Sequence, residues 1–239
     1  MSGHSKWATT HRQKELVDAK RGAIFTKMGN VISIAARRGG DPDANPSLRS
    51  AIDRARAASM PKDNIERAIK KGTGELGGDQ VEELYYEAVG PHNTQFVIKV
   101  ITDNKNRSSA NVRHIFSKLG GSFGPVIWNF EQKGVIMIAA AEVEAKKINA
   151  DDLELELIDA GILDMDKSDD GLVIYVKMED LNKMKEELES RGIKIESAEL
   201  EYVAKTKQEL NEEDTLKMDK IFEALEDDED VNDYYTNIA

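Results

Sequence analysis

The sequence predicts an α+β protein of several domains: an N-terminal helical domain followed by two α+β domains, the third ferredoxin-like and inserted in the second. With 239 residues the chain exceeds the ~100–150 of a typical single domain, so two or three are expected. Charge also changes sign along it. Met1 to Glu75 holds 15 Lys+Arg against 8 Asp+Glu, a balance of +7, and the remainder holds 18 against 37, a balance of −19. Finally, apolar spacing is helical in the first third and becomes a mixture of β-branched runs and helical stripes beyond it. These shifts place a basic helical domain at residues 1–75, an α+β domain at 79–132 plus 206–239, and an inserted ferredoxin-like domain at 133–205.

Over residues 23–36, Ile24, Met28, Val31, Ile32 and Ala35 recur at the spacing of an amphipathic helix. Arg37 and Arg38 suit its negative end, and Gly39, Gly40 and Pro42 cannot propagate it. Asn45-Pro46 reads as the N-cap and first residue of a second helix, with Leu48, Ile52 and Ala55 inward and Arg49, Arg54 and Arg56 outward. Pro61 opens a third, whose apolar side is Ile65, Ala68 and Ile69. Asp63 falls in its first turn, Lys70 and Lys71 in its last, and Gly72 is its expected stop.

Residues 72–78 read as linker. Their G-x-G-x-x-G, at Gly72, Gly74 and Gly77, lacks the preceding strand and following helix that a dinucleotide site needs. A strand-like LYYEAV follows at 84–89, then a strand at 96–101, a helix at 106–119 and a strand at 126–130. Strands at 135–139, 172–176 and 195–202 alternate with helices at 153–160 and 180–191, with room for another strand near Leu163; that order suits a ferredoxin-like unit. A helix at 211–225 and the strand-like VNDYYTNI at 231–238 find no partner there, and are expected to return to the domain begun at Leu84.

Several function classes fall away. Zero Cys removes disulfides, thiolate nucleophiles and Cys-based metal sites. His4, His11, His92 and His114 never recur at i+3 or i+4, so no metal or organic cofactor is expected. No apolar run approaches the roughly 20 residues of a membrane span, and the start lacks a secretory core, so a cytoplasmic location without membrane contact is expected. Ser122 lies in a G-x-S-x-G, but a helix precedes and a strand follows, the reverse of a nucleophile elbow. Asp228, Asp230 and Asn232 mimic an EF-hand start, yet Asp233 replaces the turn glycine and Ala239 the bidentate Glu. No catalytic residue is assigned, and the chain is read as a non-enzyme.

What remains points to nucleic acid. In the opening GHSKWATTHRQKELVDAKRG (3–22), Lys6, His11, Arg12, Lys14, Lys20 and Arg21 surround Trp7, with Lys27 beyond. Cations neutralise phosphates and an indole can stack on an unpaired base. The competing readings are a packing anchor for Trp7 and an ordinary solvated face for the cations. The second candidate is residues 102–121, where a helix offers Arg107, Arg113 and Lys118 and its start carries Asn104, Asn106 and Ser108. Against it, Asn106 could simply cap the helix and Arg107 pair with a carboxylate such as Asp103.

The same segments resemble the YebC/PmpR family, whose mitochondrial relatives include the translational activator of cytochrome c oxidase. The resemblance rests on GHSKWA (3–8), DAKRG (18–22), FTK (25–27), GGDPDANP (39–46), MPKDNIERAIKKGTG (60–74), TDNKNR (102–107) and VRHIFSKLGG (112–121), and covers nearly the whole chain. It implies a three-domain fold, no established catalysis and a transcriptional regulator that binds DNA; some members act on the ribosome, easing translation through proline runs. Three departures stand out. The family's YEG-x-GPGG is YEAVGPHN here (86–93), with Ala88, His92 and Asn93 in glycine positions, so an altered turn is expected. The loop GGSFGPVIWNF (120–130) is shorter and lacks the family's GSV element, and Ser59 stands where Asn is common.

The expected function is thus a non-enzymatic, nucleic-acid-binding regulator of gene expression, a monomer whose target is DNA or ribosomal RNA, with the ribosome as a further partner. The rival reading is a protein-interaction adaptor whose acidic α+β domains bind a basic partner, with an enzyme third.

Overall fold

The computed structural model describes residues 18–78 and 80–239, with side chains from residue 22 onward. The described residues fall into two compact units, one running to Pro125 and resuming over 211–234, the other formed by 126–210 with 235–239. No helix among them is long and apolar enough to cross a membrane.

The first unit begins with α1 (Asp18–Ala36), α2 (Pro46–Ala57) and α3 (Lys62–Thr73). Asn45 joins the first two. Its side-chain oxygen accepts from the Leu48 N–H at 3.1 Å, and its amide donates to the Ala35 and Gly39 carbonyls at 2.8 and 2.9 Å, satisfying orphan groups at both helix ends. Ile32, Ala36, Leu48, Ile52, Ala55, Met60, Ile65 and Ala68 make the shared core. Helix α3 corrects the expected stop at Gly72: the helix runs on to Thr73 and ends at Gly74, whose φ of 85° is left-handed. Gly72 serves instead where α3 meets α1, since a Cβ there would lie 2.2 Å from the Ser33 carbonyl oxygen.

Beyond the helices, β1 (Glu82–Val89) and β2 (Gln95–Thr102) pair antiparallel from Glu82↔Thr102 to Val89↔Gln95. The helices dock on this sheet through side chains that reach its backbone. Asn30 donates to the Ile101 carbonyl at 3.1 Å and Arg37 to the Val81 carbonyl at 3.3 Å. Between β1 and β2, His92 and Asn93 hold φ of 58° and 62°, the left-handed backbone that glycine adopts most easily. The turn thus keeps a glycine-like path without glycines there. Asn93→Gly should therefore raise stability by about 0.5–1 kcal/mol, measured by denaturant unfolding; an unchanged midpoint would mean the conformation carries no strain.

Next come α4 (Lys105–Lys118) and β3 (Ser122–Phe123). Asn104, not Asn106, caps α4, accepting from the Arg107 N–H at 3.0 Å. After the excursion through the second unit, α8 (Glu212–Asp227) and β8 (Val231–Thr236) complete a sheet of order β3-β1-β2-β8. Phe96 of β2 packs against Phe116 of α4 and Phe222 of α8, with ring centroids 5.1 and 6.0 Å away.

In the second unit the order is β4 (Phe130–Ala139), α5 (Ala140–Lys146), α6 (Ala150–Ile158), β5 (Ile162–Ser168), β6 (Gly171–Val176), α7 (Leu181–Ser190) and β7 (Ser197–Ala204). Its antiparallel sheet, ordered β5-β6-β4-β7, is ferredoxin-like. Ile136, Ile138 and Ile174 pack with Leu153, Leu157, Met184 and Leu188 from α6 and α7. The strand expected at 126–130 is corrected too: Ile127–Asn129 is a 3-10 turn, and the strand starts at Phe130. Asn129 is buried there and pairs through its amide with both backbone groups of Thr206 at 3.1 Å, so its polar groups are satisfied sideways.

Candidate nucleic-acid interface

Of the cations expected to meet phosphate, Lys6, Arg12 and Lys14 lie outside the described residues, as do Trp7 and His11. Lys20 and Arg21 sit near the start of α1, with side chains outside the described set. The remaining four divide into two kinds.

Lys27 and Arg107 are engaged within the protein. Half-buried Lys27 donates from Nζ to the Glu226 carbonyl at the end of α8. Burial pushes its pKa down, against the pull of the Asp228 and Glu226 carboxylates. Arg107 donates from Nε to Asp230 Oδ2 at 3.1 Å and from its terminal nitrogen to Oδ1 at 2.8 Å, and it also reaches Asp103 at 3.2 Å. Asp103 receives Lys71 as well, at 2.9 Å, and that hydrogen bond leads the interactions holding its carboxyl below the ordinary aspartate pKa. The sequence anticipates the Asp103 pairing; Asp230, 123 positions away, is visible only in the fold.

Arg113 and Lys118 differ. Both are exposed on α4, and neither forms an ion pair among the described residues, although Lys99 and Lys105 nearby are paired with Glu83 and Glu82 at 3.2 and 2.7 Å. The Arg113 guanidinium instead sits 4.7 Å from the centroid of the Phe123 ring. Phe123 in turn stacks on Tyr86, with centroids 5.6 Å apart and planes 20° from parallel. Strand pairing explains that contact. Phe123 lies opposite Ala88, so Tyr86, two residues along β1, is its diagonal neighbour on the same sheet face. The Tyr86 hydroxyl donates to the Lys105 carbonyl at 3.2 Å, fastening the row to the first turn of α4.

The result is a row of Arg113, Phe123 and Tyr86 beside α4. His114 and Ser117, exposed between Arg113 and Lys118, extend the polar face. The sequence singles out Arg113 and Lys118 but not Tyr86, Phe123 or His114, which the fold places near Arg113. The available signal was an aromatic in a glycine-rich loop, which by itself names no neighbour. Chemically the surface offers two exposed cationic groups without an ion pair among the described residues, one lying over an aromatic ring, and so suits a planar or phosphate-bearing polyanion.

Comparison with known proteins agrees with this architecture. Residues 5–75 match the TACO1/YebC protein N-terminal domain, and residues 81–238 match the TACO1/YebC second and third domain. A protein of Pelotomaculum thermopropionicum named "Probable transcriptional regulatory protein" is 43% identical over 241 residues, covering 99% of this chain and 98% of its own. A similarly named protein of Chlorobaculum tepidum is 45% identical over 244 residues, covering 100% and 95%. Among solved structures, a conserved hypothetical protein of Aquifex aeolicus superposes with a TM-score of 0.80 at 38% identity, over 94% of this chain and 92% of that one. Matched over both of its parts and sustained at this identity nearly end to end, the chain belongs to the TACO1/YebC family.

Proposed function

We propose that the protein is a non-enzymatic regulator of gene expression that works by binding nucleic acid. The observation carrying this reading is the pair of exposed cations, Arg113 and Lys118, that make no ion pair among the described residues, on α4 of a body whose charge beyond residue 75 is strongly negative. Exposed cations on one helix can take the phosphates of a polyanion while the acidic remainder of the protein repels it. Lys6, Arg12, Lys14, Lys20 and Arg21 supply the remaining phosphate contacts, with Trp7 and His11 among them. The relatives' name as transcriptional regulatory proteins supports a regulatory role. Structured RNA, with the ribosome as its source, fits better than promoter DNA, because the sequence offers no clear helix-turn-helix for a major groove. The protein acts in the cytoplasm as a monomer.

The test is binding of the purified protein to ribosomes, structured RNA and duplex DNA across a salt series, beside the variant R12E/K20E/R21E. Affinity for RNA or ribosomes should fall steeply with salt, and the variant should bind at least tenfold more weakly, about one decade for 1.4 kcal/mol. Preference for a specific duplex would move the target to DNA. No binding to any of the three would sink the reading. A protein-interaction adaptor would then stand, favoured by Leu155 and Ile158, which are 66% and 56% exposed on the acidic helix α6.

A further inference from the structure

We infer that the row formed by Arg113, Phe123 and Tyr86 is a stacking platform for an unpaired nucleobase, so that this surface selects single-stranded or looped nucleic acid over continuous duplex. The inference rests on the nucleic-acid reading above and adds the form of the ligand.

A guanidinium is flat, and an arginine in solution samples many rotamers. Here its central carbon lies over the Phe123 ring, 4.7 Å from the centroid, and that ring is supported from Tyr86 at 5.6 Å. Phe123 lies on one side of the Arg113 guanidinium, and Arg113 as a whole is exposed and makes no ion pair among the described residues. Bases splayed out of a helix stack on such planes, whereas bases in a duplex keep their faces covered by each other. The arrangement is also held from below. Tyr86 is tied through its hydroxyl to the Lys105 carbonyl, and Phe123 is paired in register with Ala88, so both rings are placed before any ligand arrives. Lys118, five residues along the same helix and about 7.5 Å further along its axis, adds positive charge at the same end of α4. Arg107 and Lys105, nearer the helix start, are already held by carboxylates, so the free cationic end of α4 is the end that carries the platform.

The experiment uses the full chain with two fluorescein-labelled probes, a single-stranded A-rich RNA decamer and a blunt RNA duplex of equal length, each titrated across a salt series. The intact protein should prefer the single strand. Phe123→Leu and Arg113→Lys, which remove the ring and the plane while keeping charge, should each weaken single-strand binding roughly tenfold, with duplex affinity unchanged. Phe123→Tyr keeps the ring and should bind like the parent, which separates loss of stacking from loss of folding. The salt slope should not change in Phe123→Leu, because no phosphate contact is lost. Equal weakening on both probes, or none on either, would overturn the platform while leaving salt-dependent nucleic-acid binding in place. Absence of salt-dependent binding in the intact protein would bring down both the platform and the reading beneath it.

Discussion

Replacing Gly72 with alanine lowers stability by about 2–3 kcal/mol, read as a lower denaturant midpoint at an unchanged slope. Helix propensity alone argues the other way, since glycine to alanine inside a helix gains ~1 kcal/mol. The neighbours decide the sign. A Cβ at this position would stand 2.2 Å from the Ser33 carbonyl oxygen and 2.7 Å from the Ala36 Cβ. The first of these is backbone of α1 and cannot rotate aside, so α1 and α3 have to separate. Their separation also disturbs the Ser33 hydroxyl, which shares one proton between the Gly29 and Ala68 carbonyls at 2.8 and 2.9 Å. Gly22 is the internal control: it too lies in a helix, but a Cβ there meets nothing within 4 Å among the described residues. Gly22→Ala should be neutral or stabilising by up to about 1 kcal/mol. Equal responses at the two positions would show that the α1–α3 approach is not set by this contact.

Gly72 also shows where sequence reading reaches its end. A glycine after two lysines near the close of an apolar stripe signals a helix stop, and the same residue is what a close helix crossing requires; only the packing partner separates the two. The Asn45 cap was legible because it acts three residues away, at Leu48. Between Asn104 and Asn106 the choice turns on which backbone leaves the helix first, and the sequence presents the same side chain twice. In residues 126–130 an apolar V-I-W-N-F reads as a strand, yet buried Asn129 finds its partner at Thr206, 77 positions on, and the segment turns instead. The ferredoxin-like order was readable from its apolar runs, although β5 was only faintly so, because aspartates at 164 and 166 interrupt it and only Met165 is buried there. The interface divides in the same way. Counting charge along α4 finds its cations; which of them the fold neutralises is hidden until the carboxylate is located.

That distinction makes Arg107 the sharper test. Arg107→Gln should cost about 1–3 kcal/mol of stability, less than the usual toll for breaking a buried pair because the arginine itself is half exposed. Asp230 sets the cost: its side chain is only 6% exposed, and losing the guanidinium leaves a carboxylate that water cannot fully solvate. The loss would spread, because the Asp230 carbonyl accepts from the Ile101 N–H at 2.9 Å beside β2 and its own N–H is held by Asp228 Oδ1 at 2.9 Å. In a double-mutant cycle, Arg107→Gln with Asp230→Asn should therefore cost less than the sum of the singles, by about 1 kcal/mol or more. A phosphate contact behaves differently: removing it weakens RNA binding and flattens the salt slope by about one unit while leaving the unfolding midpoint nearly untouched. Lys118→Gln should follow that second pattern and Arg107→Gln the first. If Arg107→Gln instead spares stability and flattens the salt slope, the Asp230 pair is a resting place for a ligand-facing arginine, and the binding surface extends to the first turn of α4.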